Sequence, residues 1–248
     1  MSGHSKWSTI KHKKGAKDAK RGKLFTKLIK EITISAQLGG PDPEANPRLR
    51  AAIQNAKGMN MPKDTIQRAI NKANRDSSDF QETSFEGYLP FGIAVFIECL
   101  TDNNNRTVAS IRSVFNKRGG NLGTNGSLSF IFERKGIITV PAGDTYHEDF
   151  ELEIIDAGAE EIEREEDVFI ITTSLEDFHA VQKKIEELGI EAGSAELQRI
   201  PNETKILPLE QSVQVMRIVE EFEDDDDVQN VYHNLEVTDE ILEALNEE

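Results

Sequence analysis

The sequence predicts an α+β protein, with an N-terminal three-helix domain followed by two α/β (ferredoxin-like) domains, the third inserted in the second. Three observations carry this prediction. Apolar residues recur at helical spacing in the N-terminal third, strand-like alternation begins near residue 83, and the elements between residues 136 and 200 follow the ferredoxin-like order βαββαβ. The predicted domains cover residues 1–77, residues 78–133 plus 202–248, and residues 134–201.

The N-terminal domain is predicted to contain three helices. The first covers roughly residues 17–38, where apolar side chains share one side of the helix. The second begins at Pro47, behind the N-cap residue Asn46, and stops at Gly58. The third begins at Pro62. Together they predict a small helical bundle.

The remaining elements divide between two α/β units. Before the insertion we expect strands at 84–89 and 93–101, a helix at 106–118 and a strand at 127–132. In the inserted unit we expect strand 137–140, helix 147–157, strands 160–164 and 168–173, helix 175–188 and strand 194–200. The chain then returns to the middle unit with helix 209–222 and strand 228–235.

Charge is distributed unevenly along the chain. Residues 1–75 contain 17 Lys and Arg against 5 Asp and Glu, a net charge of +12, whereas the other 173 residues contain 12 against 40, a net charge of −28. A basic segment attracts polyanions and an acidic one repels them. The sequence therefore predicts that the N-terminal part binds nucleic acid, and the acidic domains are candidates for a protein partner.

The basic tail and the first helix supply one group of candidate nucleic-acid contacts. Closely spaced cations neutralise phosphates, and the one tryptophan could stack on an exposed base. The alternatives are a solvated helix face for the lysines and a hydrophobic anchor for the tryptophan. The candidates are Lys6, Trp7, Lys11, His12, Lys13, Lys14, Lys17, Lys20, Arg21, Lys23 and Lys27.

Helices two and three resemble a helix-turn-helix pair in their spacing, since only the short turn Gly58–Met61 separates them. If helix three recognises DNA, its outward side chains include types that hydrogen-bond to base edges. Any exposed helix offers similar residues, so a solvated face is the alternative. The outward candidates are Lys63, Gln67, Arg68 and Asn71.

A possible second basic surface lies within the acidic part of the chain. The helix predicted at 106–118 carries four closely spaced cations, and ordinary exposed helix charges are the alternative interpretation. The four residues are Arg106, Arg112, Lys117 and Arg118.

Several other functions find no support in the sequence. The loop GGNLGTNG follows a helix and opens a strand, the reverse of a dinucleotide-binding loop, so we expect a helix cap and turn. The acidic run 223–227 is expected to be a solvated loop, and neither metal-ligand spacing nor a catalytic motif is found. We expect no enzyme activity, cofactor, metal or membrane span, and a cytoplasmic monomer.

Several segments together resemble one known family. Residues 3–32 read GHSKWSTIKHKKGAKDAKRGKLFTKLIKEI, and further matching segments are NPRLRAAIQNAKGMNMPKDTIQRAI, TDNNNRT, GGNLG and FERKG. They are similar to the YebC/PmpR family, which is related to the mitochondrial translational activator of cytochrome c oxidase subunit I. The resemblance covers essentially the whole chain and implies three domains. The acidity of the later domains and the position of the motif at the start of the sequence lead us to expect a bacterial cytoplasmic member.

The resemblance also frames the functional hypotheses. Bacterial members of the family are described as DNA-binding transcriptional regulators, and other members as ribosome-associated factors that assist translation. The family description favours transcriptional regulation, whereas a lysine-rich tail with one tryptophan suits irregular ribosomal RNA at least as well. A small-molecule sensor built on the ferredoxin-like units is a third hypothesis, which rests on fold analogy.

Overall fold

The computed structural model describes residues 18–73, 80–143, 148–165 and 167–246. Within these residues the elements in chain order are α1 (Asp18–Gly39), α2 (Pro47–Gly58), α3 (Lys63–Ala73), β1 (Gln81–Leu89), β2 (Ile93–Thr101), α4 (Asn104–Arg118), β3 (Asn121–Leu122), β4 (Phe132–Pro141), α5 (Glu148–Asp156), β5 (Ala159–Glu165), β6 (Val168–Thr173), α6 (Phe178–Glu187), β7 (Ser194–Pro201), α7 (Leu209–Glu223), β8 (Val228–His233) and α8 (Asp239–Asn246). The predicted α+β fold class is confirmed.

The side chain of one asparagine connects the first two helices of the N-terminal bundle. The Asn46 Oδ1 atom accepts from the amide of Leu49 at 3.1 Å, while its Nδ2 atom donates to the carbonyl oxygens of Ser35 at 2.7 Å and Gly40 at 2.8 Å. One asparagine therefore caps α2 and ties it to the end of α1. The bundle core is small and aliphatic, and consists mainly of Ile32, Ala36, Leu49, Ala52, Ala56, Met61, Ile66, Ala69 and Ile70.

The first sheet has the strand order β3-β1-β2-β8, and all of its pairs are antiparallel. Strand β8 joins this sheet although it follows the whole inserted unit in sequence, as the predicted insertion requires. Helices α4, α7 and α8 pack on one face around Ile111, Phe115 and Phe222. Gly119 ends α4 in the left-handed conformation (φ 73°), which confirms the predicted cap in the glycine-rich loop.

The second sheet has the order β5-β6-β4-β7, which is the order of a ferredoxin-like βαββαβ unit. Strand β6 is antiparallel to both β4 and β5, with Ile171 opposite Ile138 on one side and Ile162 on the other. Buried side chains of α5 and α6, including Phe150 and Val181, complete the core.

The chain divides into two compact units. One combines Ser78–Glu133 with Arg199–Glu248, and the other combines Lys17–Ser77 with Arg134–Gln198. The helical bundle and the ferredoxin-like sheet thus belong to the same unit. The domain boundaries expected from the sequence stay predictions.

Within that unit, α2 covers the open edge of strand β7. The Asn55 Oδ1 atom accepts from the amide of Ala195 at 2.9 Å, and its Nδ2 atom donates to the same residue's carbonyl at 3.3 Å. Nearby, the Gln182 Nε2 atom donates to Gln54 Oε1 at 2.8 Å. An edge strand needs partners for its outward amides, and here a bundle side chain supplies them.

Some predicted elements are wrong. Residues 125–131 form turns instead of a strand, because the buried carboxylate of Glu86 accepts from the amides of Gly126 at 2.7 Å and Leu128 at 2.6 Å. Strand β4 consequently begins at Phe132, earlier than expected. Helix α8 was not predicted from the sequence. Over the described residues, none of the helices has both the length and the apolar character needed to cross a bilayer.

Candidate nucleic-acid interface

Helix α3 presents a polar and cationic face to solvent. Its residues Ile66, Ala69 and Ile70 are buried in the bundle core, and 3.6 residues per turn put the intervening side chains outside. The four outward candidates from the sequence are all exposed, as expected, namely Lys63, Gln67, Arg68 and Asn71.

Two of these side chains hold each other in place. The Gln67 Nε2 atom donates to Asn71 Oδ1 at 3.2 Å, one helical turn further along α3. The bond uses one group of each amide, so Gln67 Oε1 keeps its capacity to accept and Asn71 Nδ2 its capacity to donate. An amide oriented in this way can present a defined donor and acceptor pattern to a base edge.

Helix α1 brings further cations to the same bundle. Lys23 is exposed, and Lys27 and Lys30 are half-buried. The acidic Glu31 on this helix is bound by Arg48, whose Nε and Nη2 atoms lie 2.8 and 3.3 Å from its carboxylate oxygens. Helix α1 packs directly against α3, and one of the contacts between them is a hydrogen bond from the Thr33 hydroxyl to the carbonyl oxygen of Ala69 at 3.2 Å.

The other basic-head candidates lie outside the described residues. The backbone of Lys20 and Arg21 is helical, but their side chains are not among those described. The candidates whose backbone also lies outside are Lys6, Trp7, Lys11, His12, Lys13, Lys14 and Lys17. All of them stay predictions.

One end of the helix pair α2–α3 contacts the ferredoxin-like part of the same unit. The turn between the helices includes Asn60 in the left-handed region (φ 57°) and the buried Met61, whose amide donates to the carbonyl of Ala56 at 2.9 Å. A Cβ atom at Gly58 would overlap the carbonyl oxygen of Gly193. The end of α2 therefore lies against the ferredoxin-like part of the unit, whereas the outward face of α3 is exposed.

The second basic cluster, on α4, has a different environment. Arg106 bonds through Nη2 to Asp227 Oδ2 at 2.7 Å and to Asp102 Oδ1 at 2.9 Å, and hydrogen bonds to these two carboxylates raise the pKa of its guanidinium. Arg118 Nε lies 2.6 Å from Glu221 Oε2. Arg112 and Lys117 are exposed. Two of the four cations are thus engaged by carboxylates of the same unit.

The acidic partner Asp227 was missed by sequence reasoning, which placed it in a solvated loop. Its side chain is 7% exposed, and its Oδ2 atom also accepts from the hydroxyls of Thr101 at 3.1 Å and Thr107 at 2.9 Å. It therefore connects β2, α4 and the loop before β8. No local pattern distinguishes it from the other acids of the run 223–227. Among the described residues, no three His, Cys, Asp or Glu side chains lie close enough to hold a metal ion.

Two family models match the chain. One, described as the TACO1/YebC protein N-terminal domain, matches residues 5–76, and the other, described as the TACO1/YebC second and third domain, matches residues 80–235.

Individual relatives are similar over nearly their whole length. A protein of Desulforapulum autotrophicum is 48% identical over 248 residues, covering 99% of this chain and 100% of the relative. One of Amoebophilus asiaticus is 53% identical over 239 residues, covering 95% and 98%. Both are named probable transcriptional regulatory protein. The crystal structure of a conserved hypothetical protein from Aquifex aeolicus, 45% identical, superposes with a TM-score of 0.82 over 92% of this chain and 96% of that one.

Proposed function

The chain belongs to the TACO1/YebC family, and from that premise we propose that it is a nucleic-acid-binding regulator of gene expression that acts on DNA as a transcriptional regulator. The names of its relatives support regulation of transcription. The choice of DNA as the ligand is our inference from the polar face of α3.

The exposed face of α3 is the observation that carries the proposal. It combines the cations Lys63 and Arg68 with the paired amides Gln67 and Asn71. Arginine pairs with guanine through two hydrogen bonds in the major groove, where adenine presents one donor and one acceptor. The acceptor that Gln67 keeps and the donor that Asn71 keeps are the group types that adenine requires. An α-helix fits that groove, so one face can both bind phosphates and read bases.

The remaining basic candidates have supporting roles in this proposal. The lysines of α1 and of the N-terminal tail bind phosphates without sequence preference, and Trp7 stacks where a base is accessible. Arg112 and Lys117 on α4 are the better candidates of the second basic surface, because Arg106 and Arg118 already bind carboxylates. We further propose a cytoplasmic monomer that needs neither cofactor nor catalysis.

The first test compares sequences in vitro. The protein should bind a promoter fragment selected from its own genome at least about a thousandfold more tightly than scrambled duplex at physiological salt, as specific regulators do. A ratio near one would contradict the DNA-regulator proposal.

The second test identifies the ligand in cells. Ultraviolet cross-linking followed by sequencing should recover DNA upstream of genes, with much less recovered from the variant Lys63→Gln/Arg68→Gln. The matched control is Lys183→Gln, which removes an exposed cation from α6. Recovery of ribosomal RNA in place of DNA would overturn the proposal in favour of a ribosome-associated translation factor.

A further inference from the structure

Helix α5 of the ferredoxin-like unit exposes apolar side chains. Its inward residues Phe150 and Ile154 are buried, whereas Leu152 is 60% and Ile155 is 53% exposed. Residues three apart lie on the same side of a helix, so these two side chains are neighbours. Single exposed apolar residues are common on protein surfaces, but an adjacent pair on one short helix is a candidate contact site.

A third exposed apolar residue lies at the same end of the domain. Leu175, 49% exposed, begins the turn that leads into α6. Asp177 ends the same turn and lies against Gly158, just after α5. The two are so close that a Cβ atom on the glycine would lie 2.6 Å from the Asp177 Cβ atom. The start of α6 and the end of α5 are therefore adjacent.

Acidic residues flank the apolar pair along α5, and one of them, Glu153, is bound by Lys184 of α6, whose Nζ atom lies 3.3 Å from its Oε2 atom. Helix α5 has the sequence EDFELEIID, with five acids and no cation. The exposed Asp149 and Asp156 lie on it, and Glu176 follows Leu175. Across residues 134–201, six Lys and Arg stand against 18 Asp and Glu, a net charge of −12. Such a surface repels nucleic acid and anionic lipid and attracts cationic partners.

Helix α5 also lies away from the helical bundle within its unit. It packs against β5, which is one edge of the sheet, whereas Asn55 of the bundle binds the opposite edge strand, β7. A ligand on α5 would therefore leave the polar face of α3 accessible.

We propose that the outer face of α5 binds a partner protein through a basic amphipathic helix of that partner. Leu152 and Ile155 contact the partner's apolar stripe, and the surrounding carboxylates pair with lysines or arginines that flank it. The inference goes beyond the proposed function, because it concerns a different surface and a different class of ligand.

The test uses the full chain and a defined probe. The probe is a fluorescent peptide of about 18 residues with leucines on one helical face and lysines on the other, measured by anisotropy at about 150 mM salt. Binding should weaken at least about tenfold in Leu152→Gln/Ile155→Gln, since apolar contacts at the centre of an interface dominate its affinity. The control Ile206→Gln, at a residue 75% exposed in the other unit, should bind as the wild type does.

Three results of the peptide measurement would overturn the proposal. The first is no binding of the probe to the wild type, and the second is equal affinity of the wild type and Leu152→Gln/Ile155→Gln. The third is equal binding of a peptide with the same composition but scrambled order, which would mean that charge alone attracts the probe.

A second double variant distinguishes a loss of probe binding from a loss of folding. Asp149→Asn/Asp156→Asn retains the apolar pair and should weaken probe binding while reducing its salt dependence. Unchanged binding and salt dependence in this variant would count against the proposal. Thermal melts should show the same Tm for both double variants and the wild type, because all four side chains are exposed.

Self-association is the competing explanation for the exposed face. In sedimentation experiments the wild type should not form a dimer that is lost in Leu152→Gln/Ile155→Gln. If such a dimer is found, a second copy of the chain is the occupant and the proposal is wrong. The variant Lys63→Gln/Arg68→Gln should bind the probe normally, so failure of the nucleic-acid proposal and failure of this one are distinguishable.

Discussion

Helices α3 and α4 both carry cations and polar side chains, but they use them in opposite ways. On α3 the hydrogen bond between Gln67 and Asn71 joins two residues of the exposed face itself. On α4, Arg106 and Arg118 bind carboxylates that lie more than one hundred residues away in sequence. Cation density therefore does not by itself identify a binding surface, because the same residue types also stabilise a fold.

This difference predicts that stability and nucleic-acid binding depend on different residues. Substitutions of Arg106, Arg118 or their carboxylate partners should lower stability and leave nucleic-acid binding intact. Substitutions on the exposed face of α3 should weaken nucleic-acid binding and leave stability intact.

The largest loss is expected for Asp227→Ala. The substitution removes the buried carboxylate that accepts from Thr101, Thr107 and Arg106, and the two hydroxyls keep only their bond to each other and those to Asn103. We expect the free energy of unfolding to fall by about 3 kcal/mol in urea titrations. The exposed neighbour Asp226 is the control, and Asp226→Ala should cost less than about 0.5 kcal/mol. If Asp227→Ala cost as little stability as Asp226→Ala, the acidic run 223–227 would be solvated throughout.

The second effect is a pH dependence from His233. Burial lowers the pKa of this fully buried side chain to about 4 from its ordinary 6.5, although Glu223 and the backbone of Leu235 act in the opposite direction. Above pH 6.5 the imidazole is neutral in both states and has no effect. As the pH falls below 6.5 only the unfolded chain takes up the proton, so stability is lost until the folded pKa near 4 is reached.

That loss should amount to about 2 kcal/mol between pH 7 and pH 5. Chemical unfolding at several pH values measures it, and His233→Gln should show a flatter profile over this range. The exposed His179 on α6 is the control, and His179→Gln should retain the wild-type profile. A wild-type profile in the His233→Gln variant would exclude the buried imidazole as the cause. Both His233 and the control residue His179 lie within residues 76–248, so this dependence belongs to the acidic part of the chain.

Much of the fold could be predicted from the sequence, because local patterns determine it. The N-cap Asn46 before Pro47, the strand Ile93–Thr101 and the ferredoxin-like order are local signals, and the structure confirms them. The strand expected at 127–132 is wrong because the carboxylate of Glu86 accepts from the amides of Gly126 and Leu128 and holds the segment in turns. Glu86 lies about forty residues earlier in the chain. A polar residue in an exposed-looking alternating strand gives no sign of such a bond.

The candidate site divides in the same way. Helical periodicity is enough to predict that Lys63, Gln67, Arg68 and Asn71 are exposed. The pairing of Arg106 with Asp227 could not be predicted, because it depends on how distant elements pack. The role of Asn55 was missed for the same reason, since an asparagine in a helix gives no indication that a strand edge lies beside it.

A smaller loss of stability is expected for Asn55→Ala. The substitution removes both hydrogen bonds to the edge of β7 and should cost about 1 kcal/mol. Asn71→Ala, on the exposed face of the same bundle, is the matched control and should change stability by less than about 0.5 kcal/mol. If Asn55→Ala also weakened nucleic-acid binding as strongly as Asn71→Ala, the separation between structural and binding residues in the bundle would fail.

The most direct test of the central claim is the salt dependence of DNA binding by two double variants. Lys63→Gln/Arg68→Gln removes two exposed cations from α3, and Arg106→Gln/Arg118→Gln removes two that bind carboxylates. We predict that the slope of log affinity against log salt becomes shallower by about 2 for the α3 variant at unchanged stability, since each phosphate contact contributes about 0.9. The α4 variant should keep the wild-type slope. Equal slopes for the wild type and the α3 variant, or a shallower slope only for the α4 variant, would contradict the assignment of the nucleic-acid interface to α3.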